Sequence, residues 1–169
     1  VTALSLTFAA VGAVIAAVLE ATLVRHVDVG SLHLHLVLIL AVLWTTVADI
    51  EGGLVVAFVG GLTLDALVVR PMGSTAFAII LAVGVAYLLA RSMVRFRLIV
   101  PALAVLIGSA LSSIVFLMLY GALRGPIPIS DPLALALPSA GLDALVALIL
   151  TPPAIALRDR AASPERVDW

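Results

Sequence analysis

Gly52-Gly53-Leu54-Val55-Val56-Ala57-Phe58-Val59-Gly60-Gly61-Leu62-Thr63-Leu64-Asp65 is the stretch on which the reading of the fold turns. It is uninterruptedly apolar from Gly53 to Leu64 except for one threonine, and the apolar character continues past Asp65 to Val69. Strict alternation, the mark of a half-buried strand, is absent, so a helix is the better reading. Glycine inside a helix is unfavourable by roughly 0.5–1 kcal/mol relative to alanine. Gly53, Ala57, Gly61 and then Asp65 fall four residues apart, on one face. Small residues at that spacing let two helices approach closely in lipid. A carboxylate at the end of the row should then point at a neighbouring helix. A charge at the bilayer centre is unfavourable by about 2.5–3.5 kcal/mol on insertion scales.

The rest of the chain has the same character. Of its 169 residues 64% are apolar and only 11% are charged, against roughly 45–50% and 25% in soluble domains. That is too few charges to clothe a soluble core, so lipid is the expected outer solvent. Every cationic residue other than histidine is arginine, and there is no cysteine. Disulfides, thiolate catalysis and cysteine-ligated metals are thereby excluded. A formal net charge of −1 argues against nucleic acid as a partner.

A membrane-crossing helix needs about 20 apolar residues. Six such segments are expected: Leu4–Val24, Leu32–Ala48, Gly53–Val69, Ser74–Ala90, Leu98–Tyr120, and one starting between Pro132 and Ser139 and ending near Leu157. Leu4–Val24 lacks the basic start and cleavage site of a secretory signal, so it is read as a retained helix. Asp49-Ile50-Glu51-Gly52 and Arg70-Pro71-Met72-Gly73 read as tight turns, and Gly125-Pro126-Ile127-Pro128 as a break. Asp131 before Pro132 reads as a helix N-cap. Pro138 suggests a kink or a short interfacial helix, and Pro152-Pro153 a bend near the end of the last span.

These segments make residues 1–157 one six-helix transmembrane domain and 158–169 a short polar tail. With both termini inside, the inner segments hold Arg91, Arg95, Arg97, Arg158, Arg160 and Arg166, and the outer loops hold Arg25, Arg70 and Arg124. That imbalance predicts cytoplasmic termini. Arg91, Arg95 and Arg97 form a basic group suited to anionic lipid or an acidic partner.

Glu20, Asp65 and Asp143 lie within apolar segments, all toward the outer side in this topology. An intramembrane polar cluster is expected there, rimmed by Arg25, Arg70 and Arg124. His33 and His35 would lie on different faces of a helix, which suits one metal poorly. No phosphate-binding loop, His-Glu-x-x-His or Gly-x-Ser-x-Gly motif occurs. No cofactor and no catalytic activity are expected. Further rows of small residues run along the first span (Ala9, Ala13, Ala17, Ala21), the fourth (Ala78, Ala82, Ala86, Ala90) and the fifth (Ala104, Gly108, Ser112).

The run from Gly52 to Asp65, followed by Met72-Gly73, Ala76 and Tyr87-Leu88, resembles the rod shape-determining protein MreD family. Pro152-Pro153 followed by Arg158 and Arg160 is similar to the end of that family's last span. The start of the second span departs from it, reading Ser31-Leu32-His33-Leu34-His35 where members often carry Pro-Asp. The resemblance implies an inner-membrane scaffold of the bacterial elongation machinery. Its partners would be an MreC-like single-span protein and, in a larger complex, RodA, a class B penicillin-binding transpeptidase and MreB. It also implies an all-α fold like that of substrate-binding subunits of energy-coupling-factor (ECF) transporters. Such a subunit, taking up a vitamin, is the alternative, and an ion-coupled transporter is a third. On the scaffold reading, Gly53, Ala57, Gly60, Gly61, Asp65 and Gly73 are the expected packing and partner-binding residues. Leucine at Gly61 should then impair partner binding while leaving insertion intact.

Overall fold

The computed structural model describes residues 3–26, 33–68, 71–93, 96, 98–124 and 132–162, with no strand among them. The chain forms α1 (Ala3–His26), α2 (Leu36–Val47), α3 (Ile50–Leu67), α4 (Ser74–Ser92), α5 (Val100–Arg124) and α6 (Pro132–Ala162). Four stretches are long and apolar enough to cross a bilayer: Ala3–Leu23, α3, α4 and Leu137–Arg160. Large apolar side chains such as Phe8, Phe58, Phe77, Leu88 and Ile149 are exposed around the outside. Apolar helices with an apolar exterior make this a helical membrane protein.

The second helix is shorter than expected. Instead of Leu32–Ala48 it covers Leu36–Val47, about 18 Å of rise, less than the ~30 Å hydrocarbon thickness. It is also the centre of the molecule. Val37, Leu38, Ile39, Ala41 and Val42 are essentially inaccessible. Helices α1, α3, α4, α5 and α6 all pack on α2, and they pack on one another in the order α1–α3–α4–α5–α6. They form an arc around α2. Its two ends, α1 and α6, do not pack together as the neighbouring pairs do.

The small-residue rows hold this arc together from within. A side chain on Gly60 would meet Val37 of α2 at 2.5 Å and Ala13 of α1 at 3.4 Å. One on Gly61 would meet the backbone nitrogen of Ala76, in α4, at 2.6 Å. Gly53 lies against Thr45, and Gly108 of α5 lies 3.0 Å from the Cβ of Ala82 in the same sense. Ala9, Ala13, Ala17, Ala57, Ala78, Ala82, Ala86 and Ala104 are buried. In lipid, close approach of this kind takes the place of the hydrophobic effect between helices.

The turns have local causes. Asp49 accepts a 2.6 Å hydrogen bond from the Gly52 N–H and caps α3. Gly73 precedes α4 with φ of 90°, a left-handed conformation that glycine adopts without penalty. Helix α6 runs unbroken from Pro132 to Ala162 through Pro138, Pro152 and Pro153. Pro138 thus lies within α6 itself, and Arg158 and Arg160, expected in a short polar tail, lie on its last turns. Neighbouring helices make proline tolerable in such a setting. The Gly125–Pro128 break and the Asp131 cap lie outside the described residues.

Candidate functional site: buried carboxylates at two helix ends

A helix leaves its first four N–H groups without intrahelical partners. In a bilayer water does not supply them. Two helices here start next to a buried carboxylate from another helix, and all three intramembrane acids serve this purpose.

Asp65 is 1% exposed. It accepts hydrogen bonds from the Gly73 N–H at 2.8 Å and the Thr75 N–H at 3.2 Å, and from the Ser74 hydroxyl at 3.3 Å. Its partners begin α4, so the carboxylate also lies at the positive end of that helix. The left-handed Gly73 turns its N–H into the same position.

Glu20 and Asp143 meet at the other end, that of α2. The Val37 N–H donates to Glu20 Oε2 at 2.9 Å. The His35 N–H donates to Asp143 Oδ1 at 3.0 Å, and His35 Nδ1 lies 2.7 Å from Asp143 Oδ2. The Ser109 hydroxyl donates to the same Oδ2 at 2.6 Å, and the His33 N–H donates to Ser139 Oγ at 3.1 Å. Residues 33–35 are not helical, and the N–H groups of His33 and His35 turn toward α6. Asp143 and Ser109 are fully buried, while His35 keeps 30% of its side chain exposed. Counting along α2, this polar centre lies about 18 Å from the α2–α3 turn, a distance well within the hydrocarbon thickness.

The expected acidic cluster therefore divides into two. Glu20 and Asp143 act together on α2, and Asp65 acts on α4. Arg70, Arg95 and Arg97 lie outside the described residues, as do the side chains of Arg25 and Arg124. Arg91 is exposed on the last turn of α4. His33 and His35, expected on different faces of a helix, lie in non-helical backbone before α2. His35 instead engages Asp143, and among the described residues no group of three potential ligands could hold a metal ion. Two participants carry no obvious mark in the sequence, Ser109 and Ser139. Ser109 follows Gly108 of the small-residue row, and a hydroxyl beside a close helix contact is the signal that could have found it.

The arrangement is one of hydrogen-bonded support. Nucleophile activation needs a serine hydroxyl bonded to a base that is itself oriented by a third group. Here Ser109 and His35 both bind the same carboxylate oxygen, so the hydroxyl is directed at Asp143. Replacing Ser109 by alanine removes one of the donors to a buried acid. Thermal unfolding in detergent should show a loss of about 1–2 kcal/mol. Ser112→Ala, whose hydroxyl bonds the Ser109 carbonyl within the same helix, should stay within about 0.5 kcal/mol.

The partner role expected for the third-span row meets a physical obstacle. Gly53, Ala57, Gly60, Gly61 and Asp65 are buried against the protein's own helices, so this face is already filled. Three other helical glycines have open surroundings: a Cβ added at Gly84, Gly121 or Gly141 would meet nothing within 4 Å. No family model, curated protein or solved structure matches this chain.

Proposed function

We propose that this protein is a non-enzymatic scaffold of the bacterial elongation complex, of the MreD type. On this reading it crosses the cytoplasmic membrane six times with both termini in the cytoplasm. It binds an MreC-like single-span protein and works with RodA, a class B penicillin-binding transpeptidase and MreB. The observation that carries the reading is that the residues of the resemblance form one structural unit. Gly60 and Gly61 set the approach of α3 to α1, α2 and α4, and Asp65 with Gly73 closes the α3–α4 hairpin.

The surface for a partner helix then lies outside the arc. Gly84 stands on α4 between the exposed Leu81 and Leu88. A glycine there is unfavourable by roughly 0.5–1 kcal/mol relative to alanine, and close approach of a second helix would use the space. Gly84→Leu should therefore reduce recovery of a co-expressed MreC-like protein severalfold without lowering the melting temperature. Undiminished recovery would remove this face from the proposal.

The ECF-type alternative relies on the alanine row of α1 as the surface for a transporter partner. Ala9, Ala13 and Ala17 are fully buried inside the molecule, so a transporter partner would need another face, as the scaffold's partner does. Thermal stabilisation by a vitamin would favour the transporter reading.

A further inference from the structure

We propose that the amino end of α2 is a polar latch joining the two ends of the helical arc, and that releasing Asp143 opens the bundle between α1 and α6. Helices α1 and α6 do not pack together as the other neighbours do, yet both reach the same few residues of the central chain. Glu20 comes from α1, and Ser139 and Asp143 from α6. Between them they bind the N–H groups of His33, His35 and Val37.

The latch differs from the cap on α4 in how it is tethered. Asp65 and its partner Gly73 are 8 residues apart, so their hairpin stays together whatever happens to the bond. Asp143 and His35 are 108 residues apart, and no short connection holds them. The rest of α2 is fixed differently. Its Val37 and Thr45 flank meets Gly60 and Gly53 of α3 in close apolar packing, which loss of a hydrogen bond on the α6 side leaves in place. Leu36 and Leu40 lie along another flank of α2 and are only partly buried, and Leu40 lies near Gly12 of α1. Among the described residues α6 also packs on α2 and places Ala147 in the core, and at the amino end of α2 the hydrogen bonds from Ser139 and Asp143 add to that packing. Hydrogen bonds in a low-dielectric setting are strong when made and costly when one partner is lost, so removing the Asp143 acceptor should weaken this joint.

The chain has no cysteine, so paired spin labels can be placed cleanly. Leu19 of α1 and Leu145 of α6 are both exposed and report on the opening. Phe58 of α3 and Phe77 of α4, also exposed, report on the hairpin that should not move. Electron–electron distance measurements in lipid nanodiscs should show a longer-distance population for the Leu19→Cys/Leu145→Cys pair in the Asp143→Ala background. It should rise about tenfold or more over the same pair with Asp143 intact, the factor that corresponds to a change of 1.4 kcal/mol. The Phe58→Cys/Phe77→Cys pair should keep one distribution in both. If that second pair also broadens, Ser139→Ala, which removes the acceptor of the His33 N–H, supplies the same comparison in a milder background. Identical α1–α6 distributions with and without the substitution would overturn the latch.

Discussion

Gly61→Leu is expected to abolish the folded protein, with a destabilisation of at least about 3 kcal/mol, the upper range for overpacking a tight core. The reason is what the new side chain would meet. Its Cβ would fall 2.6 Å from the Ala76 nitrogen and 2.8 Å from the Ala76 Cβ. These atoms belong to the first turn of α4, held in place by the bonds from Ser74 and Thr75 to Asp65. Backbone in that position has no rotamer to change, so α3 and α4 would have to separate. Gly60→Leu meets a Val37 side chain first, which has more room to adjust, and should be milder. The readout is the yield of monodisperse protein in detergent and its thermal midpoint. A normal midpoint with lost partner binding would restore the original expectation that this face belongs to a partner.

Asp65→Leu is expected to destabilise by about 3–4 kcal/mol, and Asp65→Asn by about 1 kcal/mol. Leucine leaves the Gly73 and Thr75 N–H groups without the acceptor they have now, at about 1–3 kcal/mol for each unsatisfied buried donor. Asparagine keeps one carbonyl oxygen for them and loses the charge that complements the α4 dipole. Equal unfolding midpoints for the two variants would show that the carboxylate does not support α4. The same pair of variants separates a structural carboxylate from a proton carrier. A proton carrier would lose function fully in Asp65→Asn while remaining folded.

Much of this was legible in the sequence because lipid simplifies the code. Apolar runs bounded by Asp49-Ile50-Glu51-Gly52 and Arg70-Pro71-Met72-Gly73 place α3 within a few residues of its observed ends. The four-residue spacing of Gly53, Ala57, Gly61 and Asp65 correctly aims them at neighbouring helices, because helical geometry alone fixes which residues share a face. Which neighbours they meet is a matter of tertiary arrangement, and there the reading was incomplete. Spacing is the same whether a row packs inside a molecule or awaits a partner. Gly61 and Gly84 look alike in sequence, and only the fold distinguishes the filled glycine from the open one.

The site shows the same boundary. Glu20, Asp65 and Asp143 stand out because buried charge in an apolar run needs a reason. Their division between α4 and α2 does not follow from spacing, since His35 and Asp143 are 108 residues apart. The shortness of α2 was hidden because Leu32 and Leu34 carry the apolar run back to the preceding loop. The N–H groups of His33 and His35 find acceptors on α6, which local sequence cannot reveal. The prolines of α6 show the same limit. Pro138 and the Pro152-Pro153 pair lie inside one helix assigned from Pro132 to Ala162, as transmembrane helices allow.

The most direct test of the scaffold is affinity purification of the tagged protein from its native membranes, with mass spectrometry of what accompanies it. Recovery of an MreC-like single-span protein together with cell-wall synthases is the expected result. Recovery of transporter ATPase subunits in their place would contradict it.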